Sequence, residues 1–291
     1  MHLFCFGLGF SARHLAAALD RKTWTIAGSV RDADAAQALR FGGIQAFVYD
    51  GTQRSDAIAS SLARATHVLL SIPPGAAGDP VLRHYCDDLA SAPALEWIGY
   101  LSTVGVYGDH DGAWIDETTA CKPVSQRSRQ RLAAEQNWLA FGATSGKRVV
   151  LFRLAGIYGP GRSAIDTVRS GRARRIIKPG QRFNRIHVED IARACLASMQ
   201  GRGRAQIYNV ADDEPAPPQD VIAHAATLLS LPLPPAIAFE EADLSPMAAS
   251  FYAENKRIRN DLMKRDLGIT LAYPTYREGL AALAKPTSEP T

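Results

Sequence analysis

The chain has 291 residues, 46% hydrophobic and 21% charged, which is enough for a substantial core plus a second lobe and too apolar for a disordered protein. A net charge of +4 is small for this length and gives no reason to expect nucleic acid as a partner. The four cysteines form no C-x-x-C pair, no apolar run is long enough to span a bilayer, and the start lacks the basic residues of a signal peptide. The expectation is a cytoplasmic chain with reduced thiols, no metal site and no membrane partner.

The first element is an apolar strand, Phe4-Cys5-Phe6, that breaks into Gly7-Leu8-Gly9-Phe10-Ser11-Ala12 and then into a helical pattern through Arg13, Leu15 and Leu19. A G-x-G-x-x-A turn between strand and helix suits a dinucleotide. Gly7 permits the tight turn, Gly9 lets the backbone approach a diphosphate, and Ala12 lets the helix pack closely on the sheet. Amides at the helix start, from Phe10 and Ser11 onward, then receive the anion. The second strand, Trp24 to Arg31, ends where the adenine ribose belongs. It offers Ser29 and Arg31, a hydroxyl and a guanidinium suited to a 2′-phosphate, so NADP is the expected cofactor; Asp32 next door leaves NAD open.

Further strands are expected at Ile44–Tyr49, Thr66–Ile72, Glu96–Ser102 and Arg148–Leu154, with helical patterns at Asp79–Leu89 and Arg129–Phe141 between them. This alternation predicts an α/β fold, a Rossmann doubly wound parallel sheet with ligands at the carboxyl ends of its strands. Ser71, Ile72 and Pro73 then lie beside the cofactor, and Pro73-Pro74 stops the strand. Pro215–Pro218 reads as the start of a helix at Asp220, Asp109-His110-Asp111-Gly112 as a solvated turn, and the tail from Lys285 to Thr291 as frayed.

Leu101-Ser102-Thr103-Val104-Gly105-Val106-Tyr107-Gly108, then Arg153 to Gly161, Arg185 to Ala192, Tyr208-Asn209-Val210 and Leu262 to Gly268 occur in one order. In that order the chain resembles the extended branch of the short-chain dehydrogenase/reductase superfamily, the nucleotide-sugar epimerases and dehydratases, and within it the atypical YeeZ-like group. The resemblance implies a catalytic hydroxyl at Thr103, which would bond a substrate carbonyl or alcohol; the plainer alternative is a strand-end hydroxyl bonding its own backbone. It also implies a Tyr-x-x-x-Lys pair just ahead of Leu132-Ala133-Ala134-Glu135, where this chain has Arg127 and Arg131. A guanidinium does not give up a proton near neutrality, so Arg127 is no acid or base, whereas Arg131 keeps the lysine's capacity to bind nicotinamide-ribose hydroxyls. Tyr107, Tyr158 and water are the replacement proton donors to weigh, and His187 reads as a packed histidine beside the helix cap at Asp190.

Eight basic residues lie between Arg162 and Arg185, the interval that in extended members belongs to the substrate lobe. They suit an anionic small-molecule substrate or, equally, a solvated face; Arg162 and Arg182, which flank motif loops, are the expected ligand contacts. Residues 1–155 and 186–210 are expected to build the sheet domain and 156–185 and 211–284 the substrate lobe. The expected activity is hydride transfer on a sugar-like or phosphorylated metabolite, by oxidoreductase or epimerase/dehydratase chemistry. The alternative is a non-catalytic NADP(H)-sensing binding protein, and a homodimer is compatible with either.

Overall fold

The structure, a computed structural model, describes residues 1–285. In chain order its elements are β1 (His2–Phe6), α1 (Phe10–Ala17), β2 (Thr25–Val30), α2 (Ala33–Phe41), β3 (Gln45–Val48), α3 (Asp56–Leu62), β4 (His67–Leu70), α4 (Pro80–Ser91), β5 (Trp97–Thr103), β6 (Trp114–Ile115), α5 (Gln126–Ser145) and β7 (Arg148–Leu154). There follow β8 (Gly156–Tyr158), α6 (Ala164–Arg169), β9 (Arg175–Ile177), β10 (Arg185–His187), α7 (Val188–Met199), β11 (Ile207–Val210), α8 (Pro218–Leu228), β12 (Ala236–Ala238), α9 (Pro246–Tyr252), β13 (Arg257–Ile258), α10 (Asp261–Leu267) and α11 (Tyr276–Ala284).

Seven strands form one parallel sheet in the order β11-β7-β5-β4-β1-β2-β3. The chain winds outward in both directions from the β1–β4 junction, so the crevice at that switch point opens beyond the carboxyl ends of the central strands. Because helices cover both faces, the central strands are apolar throughout rather than alternating. Leu3 and Cys5 of β1 join Phe152 and Leu154 of β7 in one core layer, while Phe4 and Phe6 join Ile98, Tyr100 and Leu151 in the other. A third apolar cluster, built on Tyr158, Ile165, Val221, Ala225, Tyr276 and Leu280, belongs to β8, α6, α8 and α11.

The expected Rossmann sheet is present, and α8 begins with proline at its first turn. One strand departs from expectation: Arg185–His187 is not in the seven-stranded sheet but pairs with β8, Arg185 beside Gly156 and His187 beside Tyr158. The Asp109–Gly112 segment is a tight turn with Asp111 and Gly112 at positive φ, and Asp109 Oδ1 accepts the Asn255 amide at 2.6 Å. Four free cysteines are present, Cys5 and Cys195 in the core. No helix among the described residues is long and apolar enough to cross a membrane. Of the tail expected to fray, residues 286–291 lie outside the described residues.

Candidate cofactor and active-site crevice

At the end of β1, Gly7 adopts φ +88°, and a Cβ there would stand 2.7 Å from Ile72 Cγ2, so the turn lies directly against the loop leaving β4. The Gly7 N–H donates to Ser29 Oγ at 3.1 Å and the Leu8 N–H to Ser29 O at 2.8 Å. Gly9 is the N-cap of α1 and supplies no capping side chain; a Cβ built on it meets nothing within 4 Å. The amides of Phe10, Ser11 and Ala12 have no acceptor among the described residues, and α1 has no acid in its first turn. Unpaired amides at a positive helix end, beside an open approach, fit a diphosphate.

Around this nest the other expected cofactor residues take distinct places. The Ser71 N–H donates to Phe6 O at 2.9 Å, which fixes the β4 exit against β1, and the next residue, Ile72, is the one packed against Gly7. Arg31 is exposed at the end of β2 with no hydrogen-bond partner among the described residues, while the neighbouring Asp32 caps α2 by accepting the Ala35 N–H at 2.8 Å. Ser29 corrects the sequence reading. It is fully buried with its hydroxyl under the Gly7 amide, so it shapes the glycine turn from behind and does not face a 2′-phosphate.

Thr103 ends β5 half-buried, and its Oγ1 accepts the Gly105 N–H at 3.1 Å, opening the 3-10 turn Val104–Tyr107. The local backbone bond named above as the plainer alternative is therefore made, yet it occupies only an acceptor lone pair and leaves the hydroxyl proton to be donated. Ser125 caps α5 and bonds Ser128, whose hydroxyl lies against Gly105. Arg131 Nη1 donates to Leu101 O at 2.6 Å, and its guanidinium covers the Tyr100 ring at 5.5 Å, so the arginine is tied to β5 two residues before Thr103. Arg127, one turn earlier on the same helix face, is exposed.

Neither tyrosine weighed as a proton donor opens into this crevice. Tyr107 is fully buried: its hydroxyl donates to Asn209 Oδ1 at 2.8 Å, and the Arg153 guanidinium lies 4.8 Å from its ring. Burial pushes its pKa up to about 12. Tyr158 is also buried, with its hydroxyl 3.4 Å from Thr275 O and its pKa raised, by burial first and then by Asp212 and Asp190. Both phenols are correctly placed for packing and poorly matched to proton exchange near neutrality.

The basic interval divides. Arg169, Arg174, Arg175 and Lys178 each donate to backbone carbonyls, of Ala284, Ala173, Pro234 and Tyr252 respectively, and so act as ties within the fold. Arg162 and Arg182 are exposed, and their guanidinium groups have no hydrogen-bond or carboxylate partner among the described residues. Arg162 stacks on the Phe10 ring at 5.7 Å, across from the amide nest, where Gly159 also approaches Phe10 closely. Sequence spacing carried no sign of this meeting.

His187 is buried between Tyr158 and Tyr273, at ring-centroid distances of 5.1 and 4.0 Å, and its Nδ1 accepts the Glu189 N–H as the cap of α7. Capping by Nδ1 requires the neutral ring, and burial pushes the pKa down to about 4. With the folded value below the unfolded 6.5, the unfolded chain binds the extra proton between these two values, so this stability is full above pH 6.5 and is lost as pH falls toward 4. Between pH 7.5 and 5.0 this group removes about 2 kcal/mol. Urea unfolding at the two pH values should show that difference shrinking in His187→Phe.

Comparison with known proteins agrees with this architecture. The NAD dependent epimerase/dehydratase family matches residues 88–211. Protein YeeZ of Escherichia coli (strain K12) is 30% identical over 217 residues, covering 70% of this chain and 75% of that protein. Among solved structures, a functionally unknown conserved protein from Silicibacter pomeroyi DSS is 51% identical, covers 97% of this chain and 98% of its own, and superposes with a TM-score of 0.87. UDP-glucuronic acid 4-epimerase from Bacillus cereus, in complex with NAD, shares the fold at 16% identity, with 98% and 97% of the two chains covered and a TM-score of 0.75. The chain belongs to the NAD dependent epimerase/dehydratase family, in its atypical, YeeZ-like group.

Proposed function

We propose that this chain binds NADP(H) and transfers hydride to or from a hydroxyl or carbonyl carbon of a small, anionic, sugar-like metabolite. The observation that carries the reading is the nest of unpaired amides at Phe10, Ser11 and Ala12, opened by Gly7 and Gly9 at the switch point of the sheet. Preference for the 2′-phosphate rests on Arg31, which is free at the strand end, while the carboxylate that would hold a 2′-hydroxyl is engaged as a helix cap at Asp32. The coenzyme supplies the hydride donor or acceptor when bound.

The protein's own part begins at Thr103, whose remaining hydroxyl proton is donated to the substrate oxygen and orients it. Arg131, held on β5, turns its other donors toward ribose hydroxyls and adds a permanent positive charge that favours a developing alkoxide. Arg162 and Arg182 attract the substrate's anionic group. Since Tyr107 and Tyr158 are turned into the core, the proton exchanged with the substrate oxygen comes from water through Thr103.

The test is coenzyme binding followed by turnover. NADPH should bind at least tenfold more tightly than NADH, and a library of sugar and sugar-phosphate carbonyls should contain one that oxidises NADPH slowly. Thr103→Ala should reduce that turnover by about 10²-fold with NADPH affinity unchanged. The inward-turned tyrosines favour one second reading, a coenzyme-sensing protein without catalysis. Tight NADPH binding with no turnover anywhere in the library would support it against the enzyme.

A further inference from the structure

Away from the crevice, β8, β10, α6, α8 and α11 line a half-open cavity of about 240 Å³. Its walls are largely apolar, with Ala164, Val221, Ile222 and Leu280 and the rings of Tyr158 and Tyr276, and one cation stands in them, Arg185. The volume is a little below the ~300 Å³ at which drug-sized sites begin, so a guest must be small.

Arg185 is half-buried and incompletely paired. Its Nη1 donates to Phe183 O at 3.0 Å and Ala216 O at 3.2 Å, and its guanidinium lies 5.9 Å from the Tyr276 ring. Its Nε and Nη2 have no hydrogen-bond partner, and no carboxylate stands within 4 Å, among the described residues. A guanidinium offers five donors in a planar fork, so two backbone carbonyls on one nitrogen leave the edge that matches a carboxylate unused. The acid that acts most strongly on it is Asp212, which is buried, its carboxyl held above the usual carboxylate range by burial and its Oδ2 without a hydrogen-bond partner among the described residues. Two more unpartnered buried polar atoms, Gln219 Oε1 and His224 Nε2, belong to α8, which forms one wall, and the His224 ring packs edge-on to Tyr276. An unpaired cation in an apolar wall is costly unless an anion joins it.

We infer that this cavity is a second small-molecule site, separate from the coenzyme crevice, for a small organic carboxylate with an apolar body, its carboxylate on the Arg185 fork and its body between the Tyr158 and Tyr276 rings. Arginine rather than lysine suits a planar, two-oxygen anion, and two aromatic rings with aliphatic neighbours suit a ring or short branched chain. The occupant is independent of the hydride reaction proposed above.

The test is calorimetry on the full chain with benzoate, cyclohexanecarboxylate and the neutral control benzamide. Benzoate or cyclohexanecarboxylate should bind one to one, and benzamide at least tenfold more weakly. Arg185→Gln should weaken carboxylate binding at least tenfold. Ala164→Leu, which fills the cavity and leaves the charge in place, should do the same and decides the matter if Arg185→Gln fails to fold. Gly9→Val, which lies in the other site, should leave carboxylate binding unchanged. No binding of either carboxylate by the wild type, equal binding of benzamide, or binding untouched by both cavity variants would overturn the inference; failure of NADPH to bind would overturn only the proposed function.

Discussion

Gly9→Val should weaken NADPH binding by 100-fold or more, about 2.7 kcal/mol, and leave thermal unfolding within about 2 °C of the wild type. The two halves of that expectation come from different facts about one position. The Gly9 backbone lies at φ −88°, ψ −160°, an extended conformation open to any L-residue, and a Cβ there meets no protein atom within 4 Å. The first side-chain carbon therefore meets open space, and a side chain there reduces the freedom of the unfolded chain, which works slightly in favour of folding. The space it enters is the approach to the unpaired amides of Phe10, Ser11 and Ala12, which a diphosphate must occupy to reach them. Gly7→Val is the contrasting control. At φ +88°, with Ile72 Cγ2 at 2.7 Å from the added Cβ, it should lower stability together with binding. Fluorescence titration with NADPH and a melting curve on each variant separate the two effects. A Gly9→Val protein that binds NADPH like the wild type would remove the nest from the coenzyme site.

The parts of this site that were readable in the sequence are those whose physics is local. The glycine turn sits within six consecutive residues, and strands such as Trp97–Thr103 and Arg148–Leu154 show as apolar runs because both of their faces are covered. What escaped reading depends on side-chain direction across the fold. Ser29 looked like a ribose contact because it stands near the end of β2, but it turns inward under Gly7, leaving Arg31 alone at the surface. Tyr107 follows Thr103 by four residues in the chain, yet the 3-10 turn between them carries its hydroxyl to Asn209, 102 residues away. The arginine-rich interval read as one charged patch, and the fold breaks it up: backbone carbonyls take Arg175 and Lys178, Arg185 enters a cavity wall, and Arg162 reaches Phe10 at the glycine loop. Charge in a sequence carries no record of which carbonyl or ring will receive it, because tertiary packing settles that.

Glu135→Ala should be the most destabilising single change near the site, about 3–5 kcal/mol, while Glu135→Leu combined with Arg153→Met should recover most of the loss. Glu135 and Arg153 are almost wholly buried, with side chains 2% and 6% exposed. Arg153 Nη2 donates to Glu135 Oε2 at 2.7 Å, and Nε lies 3.2 Å from both carboxylate oxygens. Ser102 Oγ donates to Glu135 Oε1, and the Arg153 guanidinium covers the Tyr107 ring. Removing the carboxylate leaves a guanidinium in the core with no anion and Ser102 without its acceptor, whereas removing both charges leaves shapes that apolar side chains can fill. The pair ties α5 to β7 and, through Ser102, to the end of β5 next to Thr103, so it holds both Thr103 and Arg131 in place. The same double variant should therefore fold and bind NADPH yet turn over more slowly than the wild type, because the strand end carrying Thr103 has lost its polar anchor. Urea unfolding of Glu135→Leu, Arg153→Met and the double variant closes the cycle. Additive single-variant losses, with no recovery in the double, would mean that the two charges act separately and that the β5 end is positioned by apolar packing alone.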